Sequence, residues 1–253
     1  MAINMKYFIG NWKMFGKPNS INILNKVNSF IKTDKKHNKK YKVVIMPPFT
    51  LIEQFAKKFI NQKIDIGAQN CFYKDKFGSN TAAISPYMVK ATKSKYVIIG
   101  HSDNRSEGET DLMLKEKLNI ALKNRLKVVF CIGENKKQKK KKQTLKVLKN
   151  QLTKVLNKKF DPNYILVAYE PIWSIGTGKI PSFNDLVKLS KSIRGVLKKI
   201  FKSKKKLPIL YGGSVDSSNI KQFKSIKEID GFLIGGASKS SKKFIDIIKN
   251  YYR

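Results

Sequence analysis

Tyr164-Ile165-Leu166-Val167-Ala168-Tyr169-Glu170-Pro171 is a run of six apolar or aromatic residues closed by a carboxylate and a proline. No polar residue alternates within it, so it reads as a strand buried on both faces, as in a parallel sheet covered by helices. Beyond it the chain passes through Gly176 and Gly178 into 186–200, whose apolar residues recur at helical spacing. The same unit repeats throughout. Apolar, β-branched-rich runs occupy 7–10, 43–46, 64–68, 96–100, 128–132, 164–168, 208–211 and 231–234. Between them lie amphipathic stretches such as 111–122, 144–156, 186–200 and 244–251. Ser182, with Asp185 three residues on, and Ser85 before a short helix both have the layout of capping boxes. Eight strands alternating with helices and no long linker predict an α/β protein, a single (β/α)8 barrel spanning 1–253 as one domain, rather than an open sheet. An open dinucleotide-binding sheet needs Gly-x-Gly-x-x-Gly after its first strand. Here that position reads Gly10-Asn11-Trp12-Lys13-Met14-Phe15-Gly16, and the fingerprint is absent.

The balance of 53 Lys+Arg against 17 Asp+Glu gives a net charge of +36. Such an excess raises nucleic acid or an anionic membrane as partners. The lysines cluster at 35–40, 136–142 and 202–206 but are also scattered along almost every helical stretch, and no aromatic residues interleave with them in sequence as a stacking platform requires. A compositional bias toward Lys, Asn and Ile explains the excess at least as well, so no specific nucleic-acid partner is expected. No apolar run reaches the ~18 residues that span a bilayer, and 1–16 lacks the layout of an export signal. Cys71 and Cys131 stand far apart with no Cys-x-x-Cys partner, which points to reduced thiols in a cytoplasmic setting rather than a disulfide framework or structural zinc.

In a barrel, chemistry gathers just past the C-terminal ends of the strands. Those positions hold Asn11 and Lys13, Gln69 and Asn70, His101 and Ser102, Glu134, Glu170, Gly212-Gly213-Ser214 and Gly235-Gly236. A lone histidine is usually structural, but His101 follows a strand with a carboxylate opposite, a setting suited to polarising a carbonyl near neutral pH. Glu170 is either a general base or a strand-end partner for a lysine, and its apolar surroundings favour the base. The segment 171–179 reads as a lid, with Pro171 stiffening one end and Gly176 and Gly178 admitting left-handed backbone. The two Gly-Gly turns, with Ser214, supply the open N–H groups and hydroxyl that hold phosphate. No His-x-x-x-His pair, carboxylate triad or cysteine cluster is present, so neither a metal nor a cofactor is expected. Acid–base groups, a cation and a phosphate grip together fit proton abstraction beside a carbonyl on a phosphorylated substrate.

These segments, in this order, resemble the triosephosphate isomerase family along the whole chain. The resemblance rests on Gly10-Asn11-Trp12-Lys13, Gly67-Ala68-Gln69-Asn70-Cys71, Gly100-His101-Ser102, Cys131-Ile132-Gly133-Glu134, Tyr169-Glu170-Pro171-Ile172-Trp173, Gly176-Thr177-Gly178-Lys179, Tyr211-Gly212-Gly213-Ser214 and Gly235-Gly236-Ala237-Ser238. It implies a TIM barrel that interconverts dihydroxyacetone phosphate and D-glyceraldehyde 3-phosphate through an enediol, as part of glycolysis and gluconeogenesis. It implies Glu170 as the base, His101 as the electrophile, Lys13 balancing substrate charge and Asn11 orienting substrate oxygens. It implies that the amides of Gly176, Gly235 and Gly236, with Ser214, hold the phosphate. It further implies a homodimer through the loop running from Phe72 to Ala83.

Several positions depart from the family pattern. Asp103 stands where a glutamate is usual, so its contact toward Lys13 is expected to be rebuilt or bridged by water. Ala83 and Asn104 replace an ion-paired glutamate and arginine together, which predicts a weaker dimer. Lys239 replaces a leucine and is expected to add positive charge near the phosphate, and Ile180-Pro181 is expected to stiffen the far hinge of the lid. Three readings of the chain stand beside the main one: a related barrel acting on another sugar phosphate, a polyanion binder that has lost catalysis, and an isomerase that uses its charge to steer a dianionic substrate.

Overall fold

The computed structural model describes residues 5–202 and 206–253; the first residues of the 1–16 segment and the middle of the 202–206 lysine cluster lie outside them. In chain order the elements are β1 (Lys6–Asn11), α1 (Ile21–Thr33), β2 (Tyr41–Met46), α2 (Phe49–Phe59), β3 (Ile64–Ala68), α3 (Pro86–Ala91), β4 (Tyr96–Ile99), α4 (Ser102–Ser106) and α5 (Asp111–Lys123). They continue with β5 (Lys127–Ile132), α6 (Lys136–Lys140), α7 (Thr144–Val155), β6 (Ile165–Tyr169), α8 (Phe183–Phe201), β7 (Ile209–Tyr211), β8 (Gly231–Ile234) and α9 (Ser241–Tyr252). The strands form a closed barrel in sequence order. Every neighbouring pair is parallel, and β1 pairs with β8 in the register Tyr7↔Gly231 to Gly10↔Ile234, which closes the ring.

Successive side chains of a strand point to opposite faces, and here both faces are apolar. Ile9, Val44, Met46, Ile98, Val129, Leu166, Ala168, Leu210 and Leu233 fill the barrel interior. Their neighbours Phe8, Val43, Ile45, Val97, Ile99, Val128, Phe130, Val167 and Phe232 pack outward in the larger core shared with the helices. That double burial is why the strands show no polar alternation in sequence. The ring is also pinned from above: Trp12, just past β1, is fully buried and donates from Nε1 to the carbonyl of Ser238, past β8, at 3.0 Å.

Local chemistry trims the elements. The β6 run starts at Ile165 because 162–164 form a short 3-10 turn capped by Asp161, whose side chain accepts from the Asn163 amide. Ser182 and Ser85 cap α8 and α3 by accepting from the amides of Asp185 and Met88. The reciprocal box is made elsewhere, by Asn135 and Gln138 at α6. After β7 the chain forms a 3-10 segment, Ile220–Ser225, that buries Ile220 and Phe223 where the repeat expects a helix.

Candidate active site

Asn11, Lys13, His101, Glu170, Gly176, Ser214, Gly235 and Gly236, the residues singled out in the sequence, all line one cleft of about 520 Å³ over the C-terminal ends of the strands. At its inner end the cleft carries the acid–base groups. Glu170 directly follows β6 and is 3% exposed. His101 caps α4: its Nδ1 accepts from the Asp103 amide at 3.1 Å. A ring nitrogen that accepts carries no proton, so the imidazole is the neutral tautomer with its hydrogen on Nε2. That Nε2 lies 3.4 Å from Glu170 Oε1. Burial pushes the Glu170 carboxyl above the usual carboxylate range; the neighbouring His101, Cys131 thiol and Lys13 ammonium pull it partly back, and Asp103 adds to the rise. Burial, with Glu170 alongside, likewise keeps the Cys131 thiol protonated by pushing its pKa well up.

Close packing holds the base in place. A Cβ on Gly212 would stand 2.7 Å from Glu170 Cγ, a separation that non-bonded carbons do not tolerate. Glycine at this position is therefore a condition for the carboxylate's placement.

Lys13 sits at φ +53, a left-handed conformation that costs a lysine of order 1 kcal/mol or more. Two amide side chains maintain it. Asn11 Oδ1 accepts from the Lys13 amide at 3.0 Å, and Gln69 Nε2 donates to the Lys13 carbonyl at 2.9 Å and to the Met46 carbonyl. Sequence reasoning noted Gln69 only as a strand-end residue; its spacing from β3 held no sign that it would reach back to β1. The Lys13 ammonium meets Asp103 Oδ2 directly at 3.1 Å. The shorter aspartate thus closes the distance itself, because α4 brings its backbone near, and no intervening water is required.

The outer end of the cleft is built from turns. A Cβ on Gly235 or Gly236 would meet no protein atom within 4 Å, so their backbone faces open space at the start of the 3-10 segment Gly236–Lys239. Gly176 and Gly178 both take positive φ, +70 and +73, and carry the lid across the opening. Ser214, also in the cleft, makes contacts to the lid. Its hydroxyl donates to the Ser174 carbonyl at 2.6 Å and accepts from the Gly178 amide at 3.1 Å, so it fastens the lid to the turn after β7. The Lys239 ammonium lies over the Phe15 ring, 5.3 Å from the centroid, and Lys243 at the start of α9 joins Lys13 in lining the cleft. Glu134 does not join the cleft. It is buried at the lid's base, where Oε1 accepts from Trp173 Nε1 at 2.8 Å and from the Tyr169 hydroxyl at 3.3 Å.

A neutral imidazole, a buried carboxylate of raised pKa and an ammonium at one end of a phosphate-sized cleft define a class: barrel enzymes that move protons on small phosphorylated carbonyl compounds. Known proteins narrow it further. The family model for triosephosphate isomerase matches residues 6–251. Triosephosphate isomerase of Thermodesulfovibrio yellowstonii is 37% identical over 246 residues, 96% of this chain and 98% of that one. The enzyme of Dictyoglomus turgidum is 38% identical over 253 residues, 97% and 99% of the two chains. The crystal structure of triosephosphate isomerase from Bartonella henselae matches with a TM-score of 0.89 at 30% identity, covering 98% of this chain and 99% of that one. The chain belongs to the triosephosphate isomerase family, and it is an isomerase of dihydroxyacetone phosphate and D-glyceraldehyde 3-phosphate.

Proposed function

We propose that Glu170 is the base of this isomerisation and His101 its electrophile. Glu170 takes the carbon-bound proton next to the substrate carbonyl and returns it to the neighbouring carbon. His101, neutral and with its Nε2 hydrogen turned toward the cleft, donates to the carbonyl oxygen and passes protons between the two enediol oxygens. A neutral donor suits this role, because its own deprotonation is better matched in acidity to an enediol than an imidazolium's is. The single observation that carries the reading is the Asp103 amide at 3.1 Å from His101 Nδ1, with Glu170 Oε1 at 3.4 Å from Nε2. Lys13 stabilises negative charge on the substrate, and Asn11 orients its oxygens besides holding the Lys13 backbone. The amides of Gly176, Gly235 and Gly236 take the phosphate, with Ser214 alongside. Closure of 171–179 keeps water from the enediol, which otherwise loses phosphate.

The test is steady-state isomerisation of glyceraldehyde 3-phosphate by the protein and by Glu170→Gln. Loss of a positioned base lowers kcat by about a thousandfold; a variant within tenfold of the parent would remove Glu170 from the role.

The same reading takes 1–253 as one barrel domain acting in the cytoplasm as a homodimer. Cys71 and Cys131, both buried free thiols, support a reducing compartment. The loop 72–83 supports the dimer: Phe77 on it is 78% exposed, close to exposed Tyr87 and Met88, while Met14 beside the cleft is 98% exposed. Apolar surface of this kind calls for a covering partner. Sedimentation of an active monomer at micromolar concentration contradicts the homodimer.

A further inference from the structure

Behind the lid lies a second cavity, of about 370 Å³, unconnected with the acid–base groups. Lys139, Lys142 and Lys188 stand around it, and Trp173, Glu134 and Thr144 are part of its wall. Two of these lysines, Lys139 and Lys142, belong to the densest lysine run in the chain, 136–142. The sequence shows no aromatic residue within that run. The fold supplies one: the Lys139 ammonium sits 3.1 Å from the centroid of the Trp173 ring, which also carries the hydrogen bond to Glu134.

Three features of this wall favour an anion. Three lysines, Lys139, Lys142 and Lys188, line a space of small-molecule size, with Asp185 and Glu134 also in its wall. Burial disfavours the charged form of Glu134, which reduces its opposition to an anion. The twelve-residue α7 begins at Thr144 with no side-chain cap from Gln143, and its first two residues, Thr144 and Leu145, line the cavity. Independently, Glu134, 1% exposed and part of the wall, has an oxygen, Oε2, buried with no hydrogen-bond partner among the described residues. Oε2 is thus a polar atom of the wall residue that no protein group among those residues satisfies.

We propose that this cavity is a second anion site, fitted to a small multiply charged phosphate compound, and that its occupation acts on the lid through Trp173. A phosphate group there competes with Trp173 for the Lys139 ammonium, while Trp173 is also held by its hydrogen bond to Glu134. Both interactions hold the first residues of the lid, so the ligand changes the ease with which the lid opens and closes. The binding part stands on the cavity alone; the kinetic part rests on the lid reading given under Proposed function.

Inorganic pyrophosphate at constant ionic strength is the probe, used on the full chain and on a Lys142→Gln, Lys188→Gln variant. Neither lysine lines the catalytic cleft. The chain has two tryptophans, and Trp12 is fully buried in the core, so a ligand-induced change in fluorescence reports Trp173. With substrate saturating, pyrophosphate is expected to shift that fluorescence and lower kcat, whereas the variant keeps its basal kcat and KM and binds the probe about tenfold more weakly outside the active site. Competitive inhibition alone, with identical fluorescence titrations for both proteins, overturns the site. A fluorescence response lost in the variant, with kcat unmoved in either protein, supports the site and overturns its action on the lid. Absence of glyceraldehyde 3-phosphate isomerisation contradicts the roles assigned to the main cleft and leaves the fluorescence comparison to decide this proposal.

Discussion

Replacing Gly212 with alanine adds one methyl group beside the base, and its consequence can be worked out from the packing. The new Cβ lies 2.7 Å from Glu170 Cγ and 3.4 Å from Oε1. Ordinary carbon–carbon contact needs roughly 3.5–4.0 Å, so Cγ must retreat by about 1 Å. Glu170 is buried with Gly133 at its back, where a Cβ would stand 1.8 Å from the Glu170 carbonyl, so its backbone has little room to yield. The displacement is therefore taken up by the side chain, and the carboxylate leaves its place beside His101 Nε2. A misplacement of about 1 Å at a reacting group costs on the order of 100-fold, equivalent to about 2.7 kcal/mol of barrier. Overpacking also lowers stability by about 1–3 kcal/mol. The assay is kcat and KM for glyceraldehyde 3-phosphate, with thermal denaturation alongside, and Gly235→Ala as the comparison. A Cβ at 235 meets nothing within 4 Å and intrudes only on ligand space, so that variant raises KM without a clash against protein atoms. If a folded Gly212→Ala protein keeps kcat within threefold of the parent, the position of Glu170 does not depend on this contact.

Three further outcomes follow from the same geometry. Asp103→Ala removes a half-exposed ion pair with Lys13 but retains the backbone amide that fixes His101, so stability falls by less than about 1 kcal/mol while the neutral tautomer persists; a hundredfold drop in kcat would show that the carboxylate itself tunes the imidazole. Because the Glu170 pKa is raised in the folded state, its contribution to stability is fully present below the ordinary carboxylate value and is lost as pH rises through the folded one. Glu170→Gln is accordingly more stable than the parent at neutral pH, with the difference shrinking toward pH 4 in chemical denaturation; equal stability at both pH values contradicts the raised pKa. If the net charge of +36 steers a dianionic substrate, kcat/KM falls as ionic strength rises while kcat stays level, and equal insensitivity of the two removes steering from the account.

The barrel was legible because double-sided burial leaves an uninterrupted apolar run, and eight such runs at helix-length intervals admit few architectures. The edges were less so. β4 stops at Ile99 because Gly100 turns to φ +76, and α8 begins at Phe183, three residues before its apolar pattern, because Ser182 rather than the pattern starts it. The cleft residues were legible for a related reason: in a parallel barrel, position after a strand fixes which end of the molecule a residue occupies. Side-chain direction was not. Glu134 and Glu170 each follow a strand end, yet the first turns beneath Trp173 and the second into the cleft. Ser214 has the residue type for phosphate, but its hydroxyl reaches two lid atoms first. The direct bond between Lys13 and Asp103 depends on where α4 carries its backbone, which the length of a side chain does not reveal.

The closure of the ring by β1 and β8 also governs how the protein is made. The two strands are separated by more than 200 residues, which at about 5–20 residues per second is some 10–40 seconds of synthesis. Throughout that interval a nascent chain holding β1 to β7 has two raw sheet edges, each able to zip onto the same edge of a chain growing on the neighbouring ribosome. Lys6 stands at the start of β1, one of the two edge strands of the unfinished sheet, and a charge there discourages edge-to-edge pairing. The seam that finishes the barrel is thus also the last point at which two half-made copies can still be mistaken for one.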